Sequence, residues 1–205
     1  MPRPPRIYIP DVSLHVFQRG INHAAIVGHE SDNERLLELI IRGMGRRGVG
    51  LHAYALMSTH YHMIVTPPAE GVLAQAMQEI GLRYTRFFNR KYGRIGTMWN
   101  DRYSAVLLDN ESYWYNCFRY VELNPLAAHI VSAPEAYGWS SYRFHAQGES
   151  CHWLTPHRLY LALGKTPELR QAAYRAMCAI PLTDAELTLQ RRPPLRTVAQ
   201  RHASV

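Results

Sequence analysis

Two histidines separated by a single residue, His60 and His62, stand in the apolar run HYHMIVT at residues 60–66. In an extended strand, residues i and i+2 point to the same face. The two imidazoles would therefore project side by side and could reach one metal ion. Further along, Tyr120 and Asn124 occur in the run YVELNP. On a helix they stand at i and i+4, on one face. An asparagine amide oxygen can coordinate a hard cation, and a phenol that loses its proton can attack phosphorus. Tyr113 lies nearly on the same helix face and is a rival nucleophile, whereas Tyr115 points elsewhere. A His-x-His pair alone is a weak signal in a chain with 11 histidines.

Arginines flank these runs. Arg19 lies in FQRG, Arg102 in NDRYS, and Arg119 directly precedes Tyr120. Arg83, Arg86 and Arg90 fall on adjoining faces of a helical segment. Together they could neutralise a nucleic-acid backbone.

Positioning these groups requires a small set of elements. Residues 14–20 alternate as a short strand. Residues 31–47 read as a helix, capped by Ser31 or Asp32, with Leu36, Leu37, Ile40 and Ile41 as its apolar stripe. Residues 51–57 and 60–66 read as strands, the second stopped by Pro67 and Pro68. A helix over 71–91 carries Leu73, Met77, Ile80, Tyr84 and Phe88 at helical spacing. A turn-rich loop at 92–100 leads to a strand at 101–109. A helix over 111–123 follows, which Pro125 is expected to end. The order predicts an α+β fold, a ferredoxin-like or RRM-like βαββαβ sandwich with an added helix. Residues 1–132 form the expected main domain. Residues 133–192 form a small helical C-terminal extension, with 136–150 as loop and two or three short helices in 156–192. Residues 193–205 form a basic, flexible tail.

Composition narrows the class. The chain has 205 residues, 47% hydrophobic and 19% charged, which is an ordinary globular balance. No apolar run is long enough for a membrane span, and residues 1–10 are basic and proline-rich, unlike a secretory signal. Cys117, Cys151 and Cys178 are expected to be reduced thiols in a cytoplasm. The net charge is +7, and of 23 basic residues only Lys91 and Lys165 are lysine. Arginine forks onto phosphate and stacks on bases, so this excess points toward nucleic acid.

The runs LHAYALMSTHYHMIVTPP and WNDRYSAVLLDNESYWYNCFRYVELNPLAAHIV closely resemble the REP-associated tyrosine transposases, which are single-strand transposases of the HUH superfamily. FQRG and GWSSY, at 138–142, match in order and spacing, and the resemblance covers about residues 5–145. It implies that His60, His62 and Asn124 hold a divalent metal, Mg²⁺ or Mn²⁺, and that Tyr120 is the nucleophile. Arg19 and Arg102 fall where relatives contact DNA; Arg119, Arg83 and Arg86 are further DNA-binding candidates. The implied activity is cleavage and rejoining of single-stranded DNA beside repetitive extragenic palindromic hairpins, through a 5′-phosphotyrosine link. The expected protein is cytoplasmic and nucleoid-associated, a monomer or homodimer, with no membrane partner. Two departures stand out. Tyr61 occupies the middle HUH position, usually a smaller aliphatic, and should pack under a helix on the opposite sheet face. Ser58-Thr59 stand where relatives commonly carry Pro-Asn. Two other classes remain: a non-catalytic single-stranded nucleic-acid-binding module on the same fold, and a structural zinc protein. The first would need exposed aromatics on the sheet; the second would need further ligands near the motif.

Overall fold

Alternation in three strands and the apolar stripes of two helices build the sandwich described by the computed structural model, which covers residues 9–181 and 183. Strands β1 (Leu14–Arg19), β2 (Gly50–Leu56), β3 (His60–Thr66) and β4 (Ser104–Leu107) form one antiparallel sheet in the order β2-β3-β1-β4. With helices α1 (Glu30–Gly45) and α2 (Val72–Tyr92) interposed, this is the expected ferredoxin-like order. β3 is central, paired with β1 on one side and β2 on the other.

β3 is buried on both faces, so its side chains sort strictly by parity. Tyr61, Met63 and Val65 enter a core with Leu14, Val16, Leu51 and Leu56 beneath α1 and α2. Tyr61 is wholly buried there and donates its hydroxyl to Gln18 Oε1 at 2.8 Å, as expected for its face. Ile64 enters a second core, with Ala53, Ala55 and Val106, beneath helix α3 (Glu111–Ala127). One buried carboxylate ties the first layer together. Burial alone would raise the pKa of Asp32, but hydrogen bonds from Lys91, Tyr92 and the backbone N–H groups of Gly28 and His29 outweigh it and hold the group at about 2.

Three differences from the sequence reading have physical causes. The last strand has only four residues; Asp101 and Arg102 are bends before it. Pro125 does not end α3: it sits in the final turn, where its missing N–H leaves only the Val121 carbonyl without its helical donor, and the helix runs on to Ala127. The stretch expected as loop contains helix α4 (Tyr142–Gln147), closed by Gly148 at φ 75°.

Helices α5 (Arg158–Ala162) and α6 (Pro167–Cys178) follow. Tyr142, Tyr160 and Tyr174 from α4–α6 share one core with Trp114, Phe118 and Val121 of α3. Residues 1–8, 182 and 184–205, including the expected basic tail, lie outside the described residues. Among the described residues no helix is long and apolar enough to cross a membrane.

A directional hydrogen-bond chain pins the α5 segment to the sheet. Leu159 N–H donates to His157 Nδ1 (3.2 Å), which leaves the proton on Nε2 to donate to Ser13 Oγ (3.1 Å). Ser13 and Thr66 hydroxyls lie 2.9 Å apart, Thr66 Oγ1 is 2.8 Å from His52 Nε2, and His52 Nδ1 donates to the Thr155 carbonyl (2.7 Å). Both ends fix the direction, and both imidazoles must be neutral. Burial lowers His52 to about 4 and His157 to about 3. The unfolded chain therefore takes up protons first as pH falls below about 6.5, and stability is lost from there down through the folded pKa values. For His52 the slope is at most about 1.4 kcal/mol per pH unit. Urea unfolding from pH 7 to pH 4 should show this acid limb, and His52→Gln should flatten it.

Candidate active site

β1 and β3 bring their odd and even residues, respectively, to one sheet face. Arg19 pairs across the ladder with His60, Phe17 with His62 and His15 with Ile64. His60 and His62 thus lie side by side, their ring centroids 4.9 Å apart. The 57–60 turn closes with Met57 N–H donating to the His60 carbonyl (2.8 Å). Thr59, at a position of departure, places its hydroxyl 3.0 Å from His60 Nδ1. The FQRG run turns away at Gly20, where a Cβ would meet the Ala24 carbonyl oxygen at 2.2 Å, so only glycine fits. Arg19 is exposed and donates to His23 Nδ1 at 3.0 Å.

Tyr120 of α3 lies over these rings. Its centroid is 5.4 Å from His62 and 6.0 Å from His15, both edge-on. Asn124 follows one turn later, buried on the same side of the helix. Tyr113 instead packs in the core beneath α3, and Tyr115 donates its hydroxyl to the Leu159 carbonyl at 2.9 Å. Of the rival tyrosines, Tyr120 is the one held against the histidine pair.

The electrostatics keep the imidazoles neutral. Burial, then the Arg19 guanidinium and the His23 ring beside it, lowers His60 to about 4. Burial, then His15, His60 and Arg19, holds His62 well below its ordinary value. His15, wholly buried, is lowered to about 3 by burial. Neutral rings offer lone pairs at neutral pH. His62 Nε2 is buried with no hydrogen-bond partner. Among the described residues no group of three or more His, Cys, Asp or Glu converges to hold a metal. The three cysteines are free thiols.

The arginines divide. Arg19 sits beside His60. Arg119 corrects the expectation of a DNA contact: one residue from Tyr120 is a rotation of about 100°, and its side chain is buried and donates to the Ile180 carbonyl. Arg83 pairs with Glu79 (2.9 Å), which also holds Arg46 and Arg47, and lines an outer groove with Arg86 on the α1–α2 layer. Arg102 lines a second groove of about 420 Å³ with Gln18, Met77, Leu82 and Trp99. The sheet separates these three from Tyr120.

Two residues of consequence escaped the sequence reading. His15 touches His62, but the β1–β3 register that joins them is not written in either strand. Glu122, an acid inside an apolar helix, was the available signal for the second. It is wholly buried and accepts hydrogen bonds from the Ser141 hydroxyl, from His145 Nδ1 (2.7 Å) and from the Tyr174 hydroxyl (2.6 Å).

Helix α3 thus lies across one face of a ferredoxin-like sheet, with Tyr120 over the paired histidines. The family model "Transposase IS200 like" matches residues 9–124, more than half of the chain, and the chain belongs to this family of transposases. Its fold is that of a REP-associated tyrosine transposase solved bound to a REP hairpin, with 17% identity and a TM-score of 0.60, covering 78% of this chain and 93% of the other. A putative transposase from Deinococcus radiodurans (15% identity, TM-score 0.41, covering 52% and 86%) and a tRNA(His) guanylyltransferase from Saccharomyces cerevisiae (11%, 0.46, covering 88% and 83%) are more distant and carry no weight. No curated protein sequence matches the chain.

Glu122→Ala would strand the buried His145 and Tyr174 donors, while the Ser141 hydroxyl could still turn to the Tyr54 carbonyl, and each stranded donor costs about 1–3 kcal/mol. Urea unfolding at pH 7 should show a loss of that size, and Glu122→Gln, which keeps one carbonyl acceptor, should lose less.

Proposed function

We propose that this transposase cleaves and rejoins single-stranded DNA beside palindromic hairpins through a 5′-phosphotyrosine intermediate. The observation that carries the reading is the Tyr120 ring edge-on to His62, whose Nε2 is buried and unpartnered. The family membership and the hairpin-bound structure that shares the fold support the substrate class.

Tyr120 Oη attacks the phosphorus of a phosphodiester as its proton passes to solvent. The P–O3′ bond breaks, the departing 3′ oxygen takes up a proton, and the 5′ phosphate stays on the tyrosine. The phosphotyrosine ester keeps the energy of the broken bond, so the reverse attack by a 3′-hydroxyl rejoins DNA without a nucleotide cofactor. His60, His62 and Asn124 fit a divalent cation, Mg²⁺ or Mn²⁺; when bound, it offsets the charge of a non-bridging phosphate oxygen and fixes the phosphate for in-line attack. All three ligands are neutral, which leaves the cation's charge undiminished. Arg19, exposed beside His60, contributes a phosphate contact, and Arg102, Arg83 and Arg86 offer contacts to DNA that reaches the α2 side.

One observation weighs against a base-stacking module of the RRM type. The sheet face that such a module would expose is covered here by α3 and carries buried Ala53, Ala55, Ile64 and Val106.

Tyr120→Phe should abolish cleavage of a single-stranded hairpin while hairpin binding persists, because the ring stays and only the nucleophilic oxygen goes. Denaturing gels should show a covalent DNA–protein adduct for wild type and for Tyr113→Phe, and none for Tyr120→Phe. Loss of the adduct in Tyr113→Phe alone would reassign the nucleophile.

His60→Ala and His62→Ala should each lose Mn²⁺ binding in calorimetric titration and lose cleavage with it. Unchanged Mn²⁺ affinity in both variants would remove these histidines from the site.

A further inference from the structure

His15 stands in the middle of β1, wholly buried, with Nε2 2.9 Å from His62 Nδ1. The two rings are stacked, with centroids 5.1 Å apart. Around His15 lie Phe17 and the Tyr120 ring, and its ladder partners are Ile64 and Val106. An aliphatic or aromatic residue would fill this apolar position without burying a polar ring. The imidazole's other nitrogen, Nδ1, has no hydrogen-bond partner, so packing alone gives no reason for a histidine here.

The contact has a chemical consequence. With both rings neutral, one proton lies between His15 Nε2 and His62 Nδ1. If it belongs to His15, then His62 must carry its own proton on Nε2, where it points to no acceptor and blocks coordination. If it belongs to His62 Nδ1, the Nε2 lone pair is free. A metal-binding histidine is generally oriented in this way, by an acceptor that takes its second ring N–H.

We propose that His15 is a positioning residue. Its Nε2 accepts the Nδ1 proton of His62, and so fixes the tautomer and ring plane in which His62 Nε2 presents a lone pair to a divalent cation. The proposal rests on the cation reading of His60, His62 and Asn124 given above. It adds a residue from β1 to a site otherwise drawn from β3 and α3.

The full chain tests it, as wild type, His15→Phe and His15→Gln. Phenylalanine fills the ring's volume and removes the acceptor. Glutamine restores a carbonyl acceptor on a side chain of similar reach. In Mn²⁺ titration calorimetry without DNA, His15→Phe should bind about 10–100-fold more weakly than wild type, and His15→Gln should recover most of that loss. A thermal melt of each variant reports folding separately. In Mg²⁺-loaded wild type, a long-range ¹H–¹⁵N spectrum should place the His62 proton on Nδ1; in His15→Phe that preference should disappear. Equal Mn²⁺ affinity in wild type and His15→Phe, or a His62 proton on Nε2 in the Mg²⁺-loaded wild type, would overturn the proposal. Should His15→Phe fail to fold, the wild-type spectrum alone decides. Wild type that binds no Mn²⁺ would instead overturn the cation reading, and this proposal with it.

Discussion

A carboxylate with no exposure to water sits in the middle of α3 and takes hydrogen bonds from three side chains of the C-terminal segment. Burying a charge is tolerable only when its oxygens are well satisfied. The donors to Glu122, namely Ser141, His145 and Tyr174, must therefore all be in place for α3 to lie where it does. The helix has no single apolar stripe. Tyr113, Cys117, Val121, Trp114 and Phe118 are buried on one side of it, and Leu123 is buried on the opposite side. Apolar packing of that kind fixes depth better than rotation, whereas a three-donor carboxylate fixes rotation. Glu122 and Tyr120 are about 200° apart on the helix, so anchoring the acid on α4 and α6 turns the phenol toward the sheet. Residues beyond 132 thus hold the helix that carries Tyr120, and Arg119, tied to the Ile180 carbonyl, adds a second anchor to the same segment.

The other half of the site follows from the parity of β3. A strand buried on both faces cannot slip by one residue without exchanging His60 and His62 for Tyr61 and Met63. Tyr61, bonded to Gln18 and edge-on to Trp99, locks that parity from the far side of the sheet. An aromatic at the middle position of the pair therefore leaves the histidines undisturbed. The cost appears as burial of polar rings: His15 and His62 share one hydrogen bond and leave one nitrogen each unpaired.

Much of this was legible in the residues. Alternation and helical stripes gave the order of elements from β1 to α3, and the i, i+2 and i, i+4 spacings put His60 with His62 and Tyr120 with Asn124. What could not be read was relative placement. His15 meets His62 only through the β1–β3 register, a tertiary property. Arg119 looked like a neighbour of Tyr120 because adjacency in sequence is not adjacency on a helix. Arg83, Arg86 and Arg102 carry the right charge but project from the α2 side, and nothing in their own segments reveals which layer that is. Helix α4 escaped because six residues among serines and glycine carry too little periodicity to register.

The GWSSY run gains a physical reason from the same geometry. β2 is an edge strand, and an open edge invites unwanted pairing. Here Leu56 N–H donates to the Trp139 carbonyl (2.9 Å), Ser141 N–H to the Tyr54 carbonyl (3.0 Å), and Tyr54 N–H to Ser141 Oγ (2.8 Å). The run therefore caps the edge of β2 with backbone and side-chain bonds. The same Ser141 hydroxyl reaches Glu122. One serine thus couples the border of the sheet to the rotation of α3. A change at the β2 edge would be felt at Tyr120 through two hydrogen bonds, although the two lie on different elements and far apart in sequence.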